Sequence, residues 1–347
     1  MKKIKFLLIL CLSIFMITAC GSENKESSQV TEKTEKNESS GELTKITVAQ
    51  PTNGILWGPI HLAKELNYFE DEGLDVEFVT VQGDAPTAPV LSGDAQFGLF
   101  GPEMILSFNE KGQGTKLLYT ATQKFPYSFL SAKEYNSVEE LKGKQINGAD
   151  SGSSPRQFVR AVLKSANLNP DTDASYANVP NSGIIAALEN GDLAATYASP
   201  ESRQPLLDSG ANMLIDMYKP DVHESILGSK NYEMYITYAT DKYIEENPEI
   251  VQKYINAIYK ATLWANEHSA EELTEALQPA YEENNNLASI IKEIKDNDIY
   301  SPNGEFTEDG FAAINRMAKE AGLIENDVEY SNVIDDSFLK KAQSKIK

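Results

Sequence analysis

Residues 57–77 read WGPIHLAKELNYFEDEGLDVE. The first half predicts a short helix, Ile60 to Leu66, and the end leads into a strand, Val76 to Val81, with period-two alternation. Between them Asn67-Tyr68-Phe69 ends the helix and turns the chain, its aromatics sealing the corner. Gly73 supplies a backbone conformation that side chains resist. A further strand, Ile46-Thr47-Val48-Ala49, comes before. Strand, helix and strand in so short a stretch form the repeat of a mainly parallel sheet with helices on both faces.

The alternation continues outward. Ala85 to Leu91 and Met104 to Asn109 predict helices, and Gln96 to Phe100 and Lys116 to Ala121 predict strands. A second run of the same kind starts near Lys144, with a strand at Gln145 to Ala149 and a helix at Pro155 to Ala166. Tyr176 to Val179, Ile184 to Leu188, Leu193 to Ala198 and Pro205 to Leu207 carry it on. After one more strand at Tyr235 to Tyr238, the remainder is helical, led by Pro248 to Ala265 with Ile250, Val251, Tyr254, Ile255 and Ile258 at helical spacing. Pattern alone fits either two consecutive domains or one chain that crosses over and returns.

The amino terminus sets the address. Lys2, Lys3 and Lys5 precede an apolar run, Phe6 to Ile17, too short to span a bilayer and shaped like the core of a signal peptide. It ends at Ile17-Thr18-Ala19-Cys20, which looks like a bacterial lipobox, so lipid on Cys20 is expected. Gly21 to Leu43 is Ser, Glu, Lys, Asn and Thr with little to bury, and reads as a flexible tether. Its reach is roughly 25–30 Å. The expected product is held at the outer face of the membrane by that lipid alone.

Composition excludes several chemistries. The two cysteines are Cys11, in the leader, and Cys20, so disulfides, thiolate metal sites and cysteine nucleophiles are not expected in the body. His61, His223 and His268 lack ligand spacing, so no metal site is expected, and no phosphate loop or G-x-S-x-G elbow points to a cofactor or a serine hydrolase. The formal charge of −21 disfavours nucleic acid and anionic lipid as partners.

A family resemblance rests on Trp57 to Glu77, above all Asn67-Tyr68-Phe69 followed by Glu72-Gly73-Leu74-Asp75-Val76-Glu77. Leu91 to Gly98 (LSGDAQFG), Val138 to Lys144 (VEELKGK), Ala187 to Asp192 (ALENGD) and Glu246-Asn247-Pro248-Glu249 add to it in order along the chain. These pieces resemble solute-binding proteins that serve ABC importers of sulfonates, taurine, nitrate and thiamine-type pyrimidine precursors. The resemblance implies the α/β, two-lobed, type II periplasmic-binding-protein fold with a helical tail, and hinge closure around a small solute before docking on a permease. It implies crossovers near Pro126 to Leu130 and near Glu233 to Tyr235. The expected layout is leader 1–19, lipidated tether 20–43, lobe I at 44–127 plus 236–347, and lobe II at 128–235, acting as a monomer. A sensory receptor is the alternative, followed by a same-fold enzyme of pyrimidine or menaquinone synthesis. The missing cysteines and the export leader count against such an enzyme.

Ligands of open α/β sheets lie beyond the carboxyl ends of the strands. That rule selects Thr52, Asn53 and Trp57 after the first strand, Asp84 after the second, and Gly101 and Glu103 after the third. It further selects Ser151, Gly152, Ser153 and Ser154, with Arg156 in the helix that follows, and Ser199 and Glu201 later on. Small residues before Pro155 at a helix start leave N–H groups free for an acceptor, although an ordinary serine cap gives the same pattern. Acidic residues such as Glu103 and Glu201 are favoured at helix starts without any ligand. Trp57, Tyr127, Tyr197 and Tyr235 suit the stacking of a flat ligand, or the packing of lobe against lobe. The serines and Arg156 favour an anion; the aromatics and carboxylates favour a neutral or cationic heterocycle.

Overall fold

A computed structural model describes residues 42–81 and 86–346. Strand β1 (Thr44–Gln50) lies parallel to β2 (Leu74–Thr80), in register from Thr44 opposite Leu74 to Gln50 opposite Thr80. The helix between them, Gly58–Glu65, buries Ile60, His61, Leu62 and Ala63. Asn67, at φ 57°, closes that helix, and Gly73, at φ 79°, starts the strand; both conformations are left-handed. Phe69 in the corner is fully buried and stacks on Tyr254 at 5.2 Å. Helix Ala88–Ser92 leads to β3 (Phe97–Phe100), and helix Pro102–Glu110 leads to β4 (Thr115–Thr120).

The chain then leaves this sheet and builds another. Its strands are β5 (Ser128–Ser131), β6 (Lys144–Asn147), β7 (Ala174–Ala177), β8 (Ala195–Ala198) and β9 (Asn212–Asp216). Helices Ser154–Ser165, Asn181–Glu189 and Pro200–Asp208 connect β6 to β7, β7 to β8 and β8 to β9. After helix Pro220–Leu227, β10 (Ile236–Thr240) returns to the first sheet. The orders are β2-β1-β3-β10-β4 and β7-β6-β8-β5-β9. In each, the strand that has just arrived from the other sheet is inserted antiparallel between two neighbours. The chain therefore crosses over and returns, which settles the choice that periodicity left open.

The remaining chain folds back on the first sheet. Helix Pro248–Glu267 buries Val251, Tyr254, Ile255 and Ile258, and Tyr254 stacks on Phe97 of β3 at 4.0 Å. Each fully buried side chain of this size contributes about 1.5–3 kcal/mol of transfer free energy. Leu130, Ile184, Leu188, Leu193 and Leu206 form a separate core on one side of the second sheet.

Candidate ligand-binding cleft

The parallel strands of both sheets end at one cleft of about 1140 Å³. β1 delivers Pro51 to Gly54 and Trp57, β3 delivers Gly101, β6 delivers Ala149 to Ser154, β7 delivers Asn178, and β8 delivers Ser199 and Glu201. Tyr127 and Tyr235, each one residue before a strand that arrives from the other sheet, line it as well.

One end is aromatic. Trp57 and Tyr235 meet edge to face at 4.4 Å, Tyr127 and Tyr197 lie 5.5 Å apart, and the hydroxyls of Tyr127 and Tyr235 share a 2.7 Å hydrogen bond. Burial pushes the Tyr197 phenol up to about 12 and raises Tyr127 and Tyr235 as well, so all three are neutral donors and acceptors. The Trp57 indole N–H, in a side chain that is 2% exposed, has no protein acceptor. Glu201 enters from its helix start, and its Oε1 accepts the backbone N–H of Ile55 at 2.8 Å. A carboxylate of the second sheet's lobe thus grips the β1 loop across the cleft.

That loop is moored from behind. Tyr300 donates to the Ile55 carbonyl at 2.6 Å, Asn53 Nδ2 donates to the Ala280 carbonyl at 3.0 Å, and the Tyr281 hydroxyl lies 3.1 Å from the Gly54 carbonyl. His61 pairs with Tyr281 through Nδ1 and with Gln50 through Nε2. Burial, with Lys64 nearby, brings His61 down to about 3, so it is neutral in this network. It is a mooring group, with both ring nitrogens engaged by protein partners.

Of the residues expected from sequence, Thr52, Asn53, Trp57, Gly101, Tyr127, Ser151, Gly152, Ser153, Ser154, Tyr197, Ser199, Glu201 and Tyr235 line this one cleft. Two do not. Glu103 is 0% exposed, and its carboxylate accepts Ser154 Oγ at 2.5 Å and Tyr232 OH at 2.6 Å. Burial raises its carboxyl, and the position joins helix Pro102–Glu110 to helix Ser154–Ser165 beneath the cleft floor. Arg156 turns away, with Nε donating to the Gly148 carbonyl at 2.8 Å and Nη2 to that of Ala149 at 2.7 Å, and lies over Tyr176. Local carbonyls thus hold two of its five N–H donors, and the side chain is not part of the cleft lining. Asp84 and Cys20 lie outside the described residues.

Gly101 and Gly152 allow this close approach. A Cβ at Gly101 would lie 2.1 Å from Ser154 Oγ, and one at Gly152 would lie 2.2 Å from Met104 Cε. Sequence reasoning missed Asp150, Asn178, Met104, Phe108 and Leu323, all of which line the cleft. Applying the strand-end rule to β6 and β7 finds the first two; Met104 and Phe108 show only as a spacing of four on a helix. Nothing local marks Leu323. Among the described residues, no lysine, arginine or histidine lines the cleft, whereas Asp150 and Glu201 do. No group of three or more metal-ligating side chains occurs among the described residues either.

Known proteins place this arrangement. Curated relatives include a Bacillus subtilis (strain 168) protein bearing the name binding protein YtlA, 24% identical across 87% of this chain and 91% of its own length. Another from that organism, named for binding aliphatic sulfonates, is 22% identical across 97% of this chain and 96% of its own. Among solved structures, a protein of Bordetella bronchiseptica RB50 superposes with a TM-score of 0.76 at 25% identity, covering 88% of this chain and 98% of its own. The periplasmic aliphatic sulphonate binding protein SsuA of Escherichia coli gives 0.62 at 18%, covering 86% and 93%. The desulfurization enzyme DSZB gives 0.64 at 15%, covering 88% and 100%. The last two share the fold alone, so the fold is that of periplasmic binding proteins and has also been used by an enzyme. The family model described as NMT1/THI5 like matches residues 57–272, so the chain belongs to the NMT1/THI5-like family.

Proposed function

We propose that this chain is the extracytoplasmic receptor of an ABC-type importer, held to the membrane through lipid on Cys20, and that its solute is flat and neutral or cationic. The observation that carries the reading is the lining of the cleft: aromatic faces from Trp57, Tyr127, Tyr197 and Tyr235, carboxylates from Asp150 and Glu201, and no basic side chain among the described residues. Carboxylates without a cationic partner repel a bare anion in a cleft of low dielectric, while ring faces and carboxylates attract a cation or an N–H donor. The free indole N–H of Trp57 offers a donor to a ring nitrogen in the same place.

The division into lobes 44–127 plus 236–347 and 128–235 belongs to this proposal and is supported by the membership of the two sheets. Tyr127 and Tyr235 sit on the two crossovers, so their hydroxyl pair is placed to move with hinge closure. The permease would receive the closed monomer. No helix among the described residues is long and apolar enough to cross a membrane, which fits an anchored body.

A sulfonate is the second reading. It is favoured by the name of one curated relative and by the twelve-residue helix Ser154–Ser165, whose start opens on the cleft. Against it, the Ser154 hydroxyl is committed to Glu103, and Arg156 to backbone carbonyls. Binding proteins outnumber the enzyme in the comparisons above, and Cys11 and Cys20 are the chain's only thiols. Both points favour a receptor over catalysis.

Thermal unfolding with panels of amino-heterocycles, alkanesulfonates, taurine and nitrate tests the proposal. A ligand at 100 times its Kd adds about 2.7 kcal/mol, which raises Tm by several degrees. A shift confined to the heterocycles is the expected result. A shift confined to sulfonates would overturn the charge argument, and turnover of any bound compound would overturn the receptor role.

A further inference from the structure

Helix Pro102–Glu110 has a core face and a cleft face, and the cleft face is the unusual one. Ile105 and Leu106 are fully buried, and the Ser107 hydroxyl is fixed to the Leu323 carbonyl at 2.8 Å. Met104 and Phe108, one turn apart, are half-buried and line the cleft, as does Leu323. A surface helix normally shows polar residues on the side away from the core. Elsewhere the described chain hides its apolar bulk well, Leu43 and Val79 being its most exposed large apolar residues. Here Met104, Phe108 and Leu323 instead present half-buried apolar side chains to one wall of the cleft.

The wall also has a direction. Phe100 lies opposite Ile236, so Gly101 starts beside Tyr235 at the aromatic end. With a rise of 1.5 Å per residue, Phe108 lies roughly 10 Å further along the helix axis. The volume, about 1140 Å³, exceeds what one ring beside Trp57 and Tyr235 fills.

We propose that the solute is an amphiphile, with a flat, amine-bearing head held among Trp57, Tyr197 and Tyr235 beside Glu201 and an apolar tail that runs along Met104 and Phe108 to Leu323. The head rests on the reading given above; the tail rests on this wall alone. Burying the tail removes apolar surface from water, and each methylene buried strengthens binding up to about fourfold.

The test is calorimetric titration of the full chain with N-alkyl-4-aminopyridinium ions from methyl to octyl, alongside n-alkanesulfonates of the same lengths. Affinity for the pyridinium series is expected to climb with chain length. Met104→Ser and Phe108→Ser should each cut the octyl-to-methyl affinity ratio by about tenfold. Phe108→Leu should keep most of it, and circular dichroism of each variant guards against misfolding. Equal affinity for methyl and octyl pyridinium ions would overturn the tail and leave the head reading standing. Alkanesulfonates binding with a chain-length gain while the pyridinium ions do not would overturn the head, and the amphiphilic amine with it. Failure of both series would overturn both.

Discussion

At Glu233, between β9 and β10, one carboxylate oxygen accepts the backbone N–H of Thr307 at 3.1 Å and its hydroxyl at 2.8 Å. The other has no partner, and a Cβ at Gly310 would lie 2.1 Å from it. Burial pushes this carboxyl up from its ordinary 4.5 to about 7, opposed by the Thr307 hydrogen bonds and reinforced by Asp309. Its folded value lies above its unfolded one, so the stability it contributes is complete below pH 4.5 and is lost as pH rises through about 7. Glu233→Gln should remove that loss, about 2–3 kcal/mol across the window. Urea unfolding of both proteins between pH 4.5 and 7.5 checks it, and parallel profiles would show that Glu233 does not titrate there. The same contrast between type and placement explains the residue-level misses. Glu103 and Arg156 have the chemistry of ligand contacts, but one is spent on Ser154 and Tyr232 and the other on Gly148 and Ala149. Which partner reaches a charged group first depends on the fold around it.

Among the elements, the long periodic helix and most strands were readable, the short buried β3 and β8 included, and a few elements were not. Helix Pro248–Glu267 shows its apolar stripe over five turns, and β1 and β2 bracket the stretch at 57–77 as expected. Ser128-Phe129-Leu130-Ser131 is buried at every position, so β5 shows no alternation to find, and β9 and helix Pro220–Leu227 were missed as well. The late strand was legible, but its seat between β3 and β4 was not. That seat depends on Gly98, which lies opposite Tyr238 of β10. A Cβ at Gly98 would come within 2.3 Å of the Tyr238 ring, and that ring has no room to retreat, being 1% exposed. Gly98→Ala should therefore destabilise the protein by about 1–3 kcal/mol through overpacking. Chemical denaturation measures this directly; a change within error would mean that the ring can swing aside.

For the molecule as a whole, the contacts that matter join the two sheets' lobes around the cleft. Arg203, on the helix after β8, pairs with Glu293 of helix Leu287–Asp296 as well as with Asp216. Lys164 and Glu320 pair at 2.9 Å elsewhere along the boundary. Together with the Glu201 to Ile55 hydrogen bond, these contacts favour the arrangement in which the lobes touch. Glu293→Gln leaves Arg203 its Asp216 partner but removes the tie across the boundary. Affinity for the solute should fall about fivefold, equivalent to about 1 kcal/mol, and the radius of gyration by X-ray scattering should rise. Unchanged affinity would mean that the pair lies outside the closing motion.

By itself the sequence determined the repeat of strands and helices, the exclusion of thiol chemistry from the body, the expectation of a leader, and the strand ends from which most of the cleft is built. These properties depend on local periodicity, composition and a general rule of parallel sheets. Only the tertiary structure decided which strand is inserted where, that Glu103 and Arg156 are engaged away from the cleft, and that Met104, Phe108 and Leu323 share one apolar wall. The physical reason is range. Met104 and Leu323 are 219 positions apart, and their meeting is settled by how whole layers pack, which no local pattern in the chain records.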